Sequence, residues 1–104
     1  GGLEGIRDEG LLESALHRPV QKFQYEPKSS LPELAASYSY GIARNHPFFD
    51  GNKRSALLAA IVFLGINGMK LHATEEEAVL ETLALAAGER TEEEYAFWLT
   101  KNST

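Results

Sequence analysis

Apolar residues recur at helical spacing along most of the chain, and this pattern divides it into about five segments. After a glycine-rich opening, Asp8 offers an N-cap for a short first helix, which Pro19 is predicted to end. Aromatic and polar residues then alternate unevenly over residues 20–29. This stretch is therefore predicted to be an extended loop or a small hairpin.

The second helix has clear start and stop signals. Residues 30–33, Ser-Leu-Pro-Glu, combine a capping box with a proline in the first turn. Pro47 disfavours helical geometry at the residue before it, so the helix is expected to end at about Asn45. The chain must therefore leave the helix where the segment from His46 to Arg54 begins.

The third helix is expected to begin at residues 52–53 and to end at Ile66, because Asn67-Gly68 supplies a C-terminal stop. Between residues 56 and 64 it has no polar face. A helix that is apolar all round is typical of one that is surrounded by others. The third helix is therefore predicted to be the central one.

Two further capping boxes, which Thr74 and Thr91 open, precede the last apolar runs. They predict a fourth helix, which Gly88 closes, and a fifth helix after it. A short extended piece is expected around residues 69–72. The sequence as a whole predicts a single all-α domain over residues 1–104, with about five helices around a central buried helix and a short hairpin-like excursion.

Charge and cysteine content exclude several classes of function. A chain of 104 residues with 43% hydrophobic content is long enough for one domain with its own core. The formal net charge of −5 argues against a general nucleic-acid binder, because phosphate backbones attract a surplus of Lys and Arg. The absence of cysteine excludes disulfides and thiolate metal sites. Since no apolar run approaches the roughly 18 residues of a membrane span, we expect a cytoplasmic protein that does not bind membranes. Because of the net charge, we also expect no direct binding of nucleic acid.

The segment from His46 to Arg54 reads His-Pro-Phe-Phe-Asp-Gly-Asn-Lys-Arg and carries the candidate chemistry. At the start of a helix, Gly51 lets the backbone turn tightly, and the N–H groups of the next turn form an anion-binding site. Lys53 and Arg54 add formal positive charge, and the fork of the arginine guanidinium suits phosphate oxygens. The phosphates of a nucleotide are the predicted ligand.

Three further residues complete the candidate site. His46 is the candidate general base, because imidazole is the side chain that ordinarily exchanges protons near neutral pH. Asp50 is the candidate ligand of Mg²⁺, which is usually shared between one or two carboxylates and the phosphates. Asn52 is expected to cap the third helix or to donate to a phosphate oxygen. The combination predicts transfer of a phosphorus-centred group from a nucleotide to a hydroxyl.

A purely structural alternative is a turn between two helices in which Asp50 or Asn52 simply caps the third helix. Such a turn does not require a histidine, a lysine and an arginine in this order. The functional interpretation is therefore preferred.

The same segment resembles the motif of the Fic family, whose pattern is His-Pro-Phe-x-Asp/Glu-Gly-Asn-x-Arg, and every specified position matches. Residues 5–16 and Asn67-Gly68 resemble the death-on-curing (Doc) branch of that family. The resemblance implies an all-α Fic fold, ATP and Mg²⁺ as cosubstrate and metal, and a flexible hairpin called the flap, expected at residues 20–27. It also implies the functional residues: His46, Asp50, Lys53 and Arg54 for catalysis, Asp50 for the metal, and Gly51, Asn52, Lys53 and Arg54 for the nucleotide.

Two positions bear on which group is transferred. Fic proteins that transfer adenosine monophosphate usually carry a second Arg three positions after the first, whereas this sequence has Leu57 there. The pair Lys53-Arg54 is Doc-like, and Doc toxins are kinases that phosphorylate a threonine of elongation factor Tu. The resemblance therefore favours a toxin that transfers phosphate from ATP to a Ser or Thr hydroxyl. Gly51, where some Doc proteins have Ala, keeps transfer of adenosine monophosphate as the alternative.

The resemblance also implies partners. No copy of the self-inhibitory motif of many Fic proteins, Ser/Thr-x-x-x-Glu-Gly/Asn, is found in residues 1–104. Inhibition by a Phd-like antitoxin, whose tail folds into a groove on the toxin, is therefore expected. The family begins with an additional N-terminal segment, part of which this chain is expected to lack. Two interpretations of other classes stay open, a catalytically inactive binding protein and a DNA-binding regulator.

Overall fold

The computed structural model describes residues 5–104, and this part of the chain forms five helices and two isolated β-bridges. The predicted all-α class is thus confirmed. No helix in the described part is long and apolar enough to cross a membrane. The helices are α1 (Glu9–Tyr25), α2 (Leu31–Asn45), α3 (Asn52–Ile66), α4 (Glu75–Ala86) and α5 (Glu92–Asn102).

The first helix is longer than predicted. Asp8 caps it as expected, accepting a backbone N–H at 3.0 Å. The helix then continues through Pro19 to Tyr25, so the prediction that the proline ends it is wrong. The hairpin predicted at residues 20–27 is wrong for the same reason, because α1 covers most of that range. A proline removes one intrahelical hydrogen bond, but the turns that follow can still form.

Packing against α2 explains why α1 tolerates its proline. Ala15 and Pro19 lie one turn apart, and both are buried. Gly41 of α2 allows the two backbones to approach, since a Cβ there would lie 3.0 Å from the Cα of Ala15 and 3.1 Å from its carbonyl oxygen. The apolar surface buried at this crossing offsets the lost hydrogen bond.

The central helix is α2. It packs against each of the other four helices. Its buried residues extend from Pro32 in the first turn to Ala43 near the end, and they occur on most sides of the helix. The end of α2, where the candidate site begins, is therefore fixed by the whole bundle.

The prediction that α3 is the central helix is wrong. Among the described helices it packs against α2 and α4 only, and its buried stripe contains the small residues Ala56 and Ala60. An all-apolar helix indicates burial but does not say which neighbours provide it. The remaining surfaces of α3 and α4 leave seven large aliphatic side chains exposed, which we call the apolar face: Leu58, Ile61, Val62, Ile66, Val79, Leu80 and Leu83.

Buried polar groups join the helices at defined points. The Tyr95 hydroxyl and Thr82 Oγ1 are 2.8 Å apart and connect α5 to α4. Burial raises the pKa of Tyr95 above its ordinary value, because the phenolate would lose its hydration. The Ser39 hydroxyl donates to the carbonyl of Ala56 at 2.6 Å and connects α2 to α3. This last bond fixes α3 one turn beyond the candidate site.

The predicted caps are largely confirmed. Ser30 and Thr91 open α2 and α5 with complete capping boxes. Thr74 accepts the N–H of Glu77 at 3.1 Å, but the return bond of a capping box is not formed at α4. The extended piece after α3 also forms, and Lys70 exchanges backbone hydrogen bonds of 2.9 and 3.0 Å with the C-terminal residue.

Candidate active site

The segment that connects α2 to α3 begins with an unusual backbone conformation. His46 is the C-cap of α2, with φ 48° and ψ 55°. Within residues 5–104 no other residue except glycine has a positive φ. The left-handed conformation costs a non-glycine residue about 1–2 kcal/mol, so it persists only where surrounding contacts hold it.

Those contacts come from the residues before α1. The Arg7 guanidinium donates from Nε to the carbonyl of His46 at 2.8 Å and from Nη2 to the carbonyl of Asn45 at 3.0 Å. The backbone N–H of Arg7 donates to the carbonyl of Pro47 at 2.7 Å. A β-bridge between Ile6 and Phe48 continues the pairing. Arg7 lies outside the predicted site, because nothing in the sequence connects it to a residue 39 positions away.

Asn52 shapes the loop from its other end. Its Oδ1 accepts the N–H of Phe48 and its Nδ2 donates to the carbonyl of the same residue, both at 2.9 Å. Only 8% of Asn52 is exposed. Pro47 is buried, and the ring of Phe48 packs against a core cluster that includes Ile42. Asn52 thus holds the loop in shape, and its predicted contact with a phosphate oxygen stays a prediction.

The third helix begins without a side-chain cap. Its N-cap is Gly51, with φ 73°, and no side chain accepts a capping hydrogen bond there. The structural alternative, in which Asp50 or Asn52 caps this helix, is therefore wrong. The N–H groups of the first turn have no intrahelical acceptors and carry the positive end of the helix dipole. This end of α3 is suited to bind an anion.

The ionisable residues of the predicted site lie in the segment before α3 and in its first turn. His46, Asp50, Lys53 and Arg54 are all exposed. None of them takes part in the ion pairs found between residues 5 and 104. In the same range, no group of three or more His, Asp or Glu side chains is placed to hold a metal ion. These four residues are therefore exposed to solvent in the segment that connects α2 to α3 and in the first turn of α3.

A groove of about 1310 Å³ lies between α1, α2 and α5. It is lined largely by polar and aromatic side chains, and the guanidinium carbons of Arg18 and Arg44 lie 4.7 and 5.7 Å from the centroid of the Tyr40 ring. None of the predicted site residues lines it. This groove is therefore separate from the end of α3, which is open to solvent.

Comparison with known proteins agrees with the motif. The profile described as Fic/DOC family matches residues 1–64, which contain the whole segment from His46 to Arg54. The chain belongs to the Fic/Doc family. Its loop, helix end and exposed histidine are thus the Fic/Doc motif in three dimensions.

Two relatives place the chain near the Doc branch of the Fic/Doc family. The protein named "Protein kinase doc" of Escherichia phage P1 is 40% identical over 89 residues, which cover 86% of this chain and 70% of that protein. The protein named "Toxin Doc" of Mycolicibacterium smegmatis (strain ATCC 700084 / mc(2)155) is 43% identical over 74 residues, covering 70% of this chain and 57% of that protein. Both relatives are therefore longer than the part of them that this chain matches.

Proposed function

We propose that this Fic/Doc protein transfers phosphate from ATP to a Ser or Thr hydroxyl of a target protein. The observation that carries the proposal is an exposed His46 in the segment that leads into α3, a helix whose N-cap is Gly51 and which has no side-chain cap. Lys53 and Arg54 add two cations in the first turn. An anion site with an adjacent imidazole suits phosphoryl transfer, in which positioning and charge neutralisation are the main contributions of the protein.

The residues have separate roles in this reaction. His46 accepts the proton of the target hydroxyl, and that oxygen forms a bond to the γ-phosphorus while the bond from this phosphorus to the β–γ bridging oxygen breaks. ADP leaves. Arg54 and the first-turn N–H groups of α3 hold phosphate oxygens, and Lys53 adds positive charge beside them. The Arg7 and Asn52 contacts described above keep the loop in place.

The residues present also fit a magnesium ion. Asp50 is an exposed carboxylate directly before the first turn of α3. Mg²⁺ is typically bound through one or two carboxylates together with the phosphates of a nucleotide, so a single aspartate here is a sufficient protein ligand. When bound, the ion neutralises the negative charge that develops on the phosphates.

Phosphate transfer is favoured over transfer of adenosine monophosphate by Leu57, which stands where the nucleotide-transferring Fic pattern has a second arginine. The phage P1 relative is named a protein kinase, and this name supports the same choice. Gly51 is the observation that favours the alternative, because it matches the nucleotide-transferring pattern.

Labelled ATP distinguishes the two reactions. With ATP labelled at its γ-phosphate, we expect the label to be transferred to the target protein. With ATP labelled at its α-phosphate, we expect no label on the target protein. The opposite result would establish transfer of adenosine monophosphate. Absence of label from both nucleotides, with a folded protein and ATP bound, would refute both proposals.

The proposal extends to partners. By the resemblance to Doc, the target is elongation factor Tu and the site of action is the cytoplasm. One relative is named a toxin, and toxins of this type act together with an antitoxin. We therefore propose that a Phd-like antitoxin inhibits this chain. Co-expression tests this: the antitoxin is expected to relieve growth inhibition and to co-purify with the chain.

A further inference from the structure

The conformation of His46 depends on few contacts. Its own N–H donates to the carbonyl of Ile42 at 3.1 Å, which belongs to the end of α2. Beyond that bond, the peptide groups on either side of His46 are held through two carbonyl oxygens, those of Asn45 and His46 itself. Both accept from one side chain, the guanidinium of Arg7.

The geometry of these two bonds uses the arginine fork. Nε and Nη2 lie on the same edge of the planar guanidinium, and they reach two successive carbonyls at 2.8 and 3.0 Å. A lysine ammonium is a compact charge with three rotatable donors, and it lacks the rigid planar geometry of this pair. The carbonyls at the end of a helix also lack intrahelical donors and carry partial negative charge, so a cation is favourable there.

The backbone of Arg7 strengthens the attachment. Its N–H and that of Asp8 both donate to the carbonyl of Pro47, at 2.7 and 3.1 Å. Asp8 in turn caps α1, and the Asn45 amide donates to the carbonyl of Leu11 at 3.0 Å. The Arg7 side chain therefore projects from a backbone that α1 fixes, and it can act as a rigid support.

We propose that Arg7 is a positioning residue for His46. By holding the carbonyls of Asn45 and His46, its guanidinium maintains the left-handed backbone that presents the imidazole at the end of α3. This inference rests on the proposed function of His46 as the general base. Arg7 itself does not touch the reacting groups, and the remaining loop contacts, through Pro47 and Asn52, stay in place when its side chain is removed.

Kinetics test the role of the guanidinium. In Arg7→Ala, kcat for phosphate transfer is expected to fall by roughly 10- to 100-fold, because small displacements of a catalytic group have effects of this size. The KM for ATP is expected to change by less than about 2-fold, since the α3 terminus is intact. Arg7→Lys is expected to recover only part of kcat, and added guanidinium ion at low millimolar concentration is expected to recover part of the activity of Arg7→Ala.

Arg90→Ala is the matched control. Arg90 is also an exposed arginine, and its Nε donates to Glu81 at 3.1 Å. Both of these residues are far along the chain from the loop that carries His46. It is expected to keep the wild-type kcat. Full kcat in Arg7→Ala, or a loss that Arg90→Ala shares, would overturn the proposal.

A readout that needs no activity separates this inference from the proposed reaction. With histidines labelled with ¹³C and ¹⁵N, the backbone resonances of His46 are expected to shift in Arg7→Ala, whereas those of His17 and His72 stay unchanged. Arg7→Lys provides the same comparison if the alanine variant unfolds. Unmoved His46 resonances in a folded variant would refute the role of Arg7. If the wild type transfers nothing and the His46 resonances still shift in Arg7→Ala, only the proposed reaction is refuted.

Discussion

The side chain of Asn52 and the backbone of Phe48 form a closed ring of two hydrogen bonds, each 2.9 Å long. The Asn52 amide accepts a hydrogen bond from the Phe48 N–H and donates one to the Phe48 carbonyl. Both backbone polar groups of this partly buried residue therefore have partners. Asn52 is also the first residue of α3. The ring therefore ties the loop that carries His46 to the helix end where the phosphates are proposed to bind.

Replacement of this amide by a carboxylate tests the ring. Asn52→Asp keeps the acceptor for the Phe48 N–H but loses the donor and brings a carboxylate close to a carbonyl oxygen. Because an unsatisfied buried group costs about 1–3 kcal/mol, the free energy of unfolding is expected to fall by about that amount. Urea denaturation measures it. The control is Asn102→Asp, which alters an amide that donates to a helix carbonyl remote from the loop; a loss no larger than that of the control would contradict the prediction.

A second prediction concerns the backbone at Gly51. Its φ of 73° is unfavourable for any residue with a Cβ, although nothing lies within 4 Å of the position that a Cβ would take. Gly51→Ala is therefore expected to lower the free energy of unfolding by about 1–2 kcal/mol through backbone strain alone. Gly65→Ala is the matched control, because that helical glycine has equal space and no positive φ. It is expected to stabilise the protein by about 0.5–1 kcal/mol. Equal effects of the two substitutions would show that strain at Gly51 is unimportant.

A third prediction concerns the phosphate contacts of Arg54. Hydrogen bonds to charged groups contribute about 1.5–3 kcal/mol, so Arg54→Ala is expected to weaken ATP binding by roughly 10- to 100-fold. Isothermal titration calorimetry measures the Kd. Lys28→Ala, in the exposed turn between α1 and α2, removes one positive charge away from the site and is expected to leave the Kd unchanged. If both variants bind ATP equally well, Arg54 does not hold the phosphates.

A fourth prediction concerns acid stability. The N–H of Ser30 donates to the carboxylate of Glu33 at 2.8 Å, and this bond lowers the pKa of Glu33 below its ordinary value. A lowered pKa in the folded state means that the carboxylate form favours folding. This stabilisation is complete above the unfolded value of about 4.3 and is lost as the pH falls through the folded value.

In Glu33→Gln, the free energy of unfolding is therefore expected to depend less on pH below about 4.3 than in the wild type. Glu93→Gln is the control, because Glu93 takes no part in the capping boxes. It is expected to keep the wild-type pH dependence. Urea titrations at several pH values measure both, and identical curves for Glu33→Gln and the wild type would exclude the contribution of Glu33.

Much of the fold follows from local signals in the sequence. Ser30 and Thr91 open helices where capping boxes predict them, and Gly88 adopts the left-handed conformation expected after a helix. The predictions that were wrong concern features that depend on tertiary contacts. Pro19 stays inside α1 because Gly41 lets α1 pack closely against α2, and a helix signal at one position carries no information about that neighbour.

The site could be predicted in part, because its chemical groups lie within nine consecutive residues. The sequence predicted a loop at His46 and a helix that begins at residues 52–53, and both are present, the helix beginning at Asn52. It could not predict that Asn52 would bond to Phe48 instead of capping the helix. The contribution of Arg7 was also missed, since contacts between distant segments depend on the folded arrangement.

The most direct test of the central claim is the intact mass of elongation factor Tu after incubation with ATP, Mg²⁺ and this protein. The wild type is expected to add one phosphoryl group, and His46→Ala to add it roughly 10²–10⁴-fold more slowly while still binding ATP. Addition of adenosine monophosphate would contradict the assignment as a kinase. Equal rates with and without the imidazole would contradict the role of His46 as the general base.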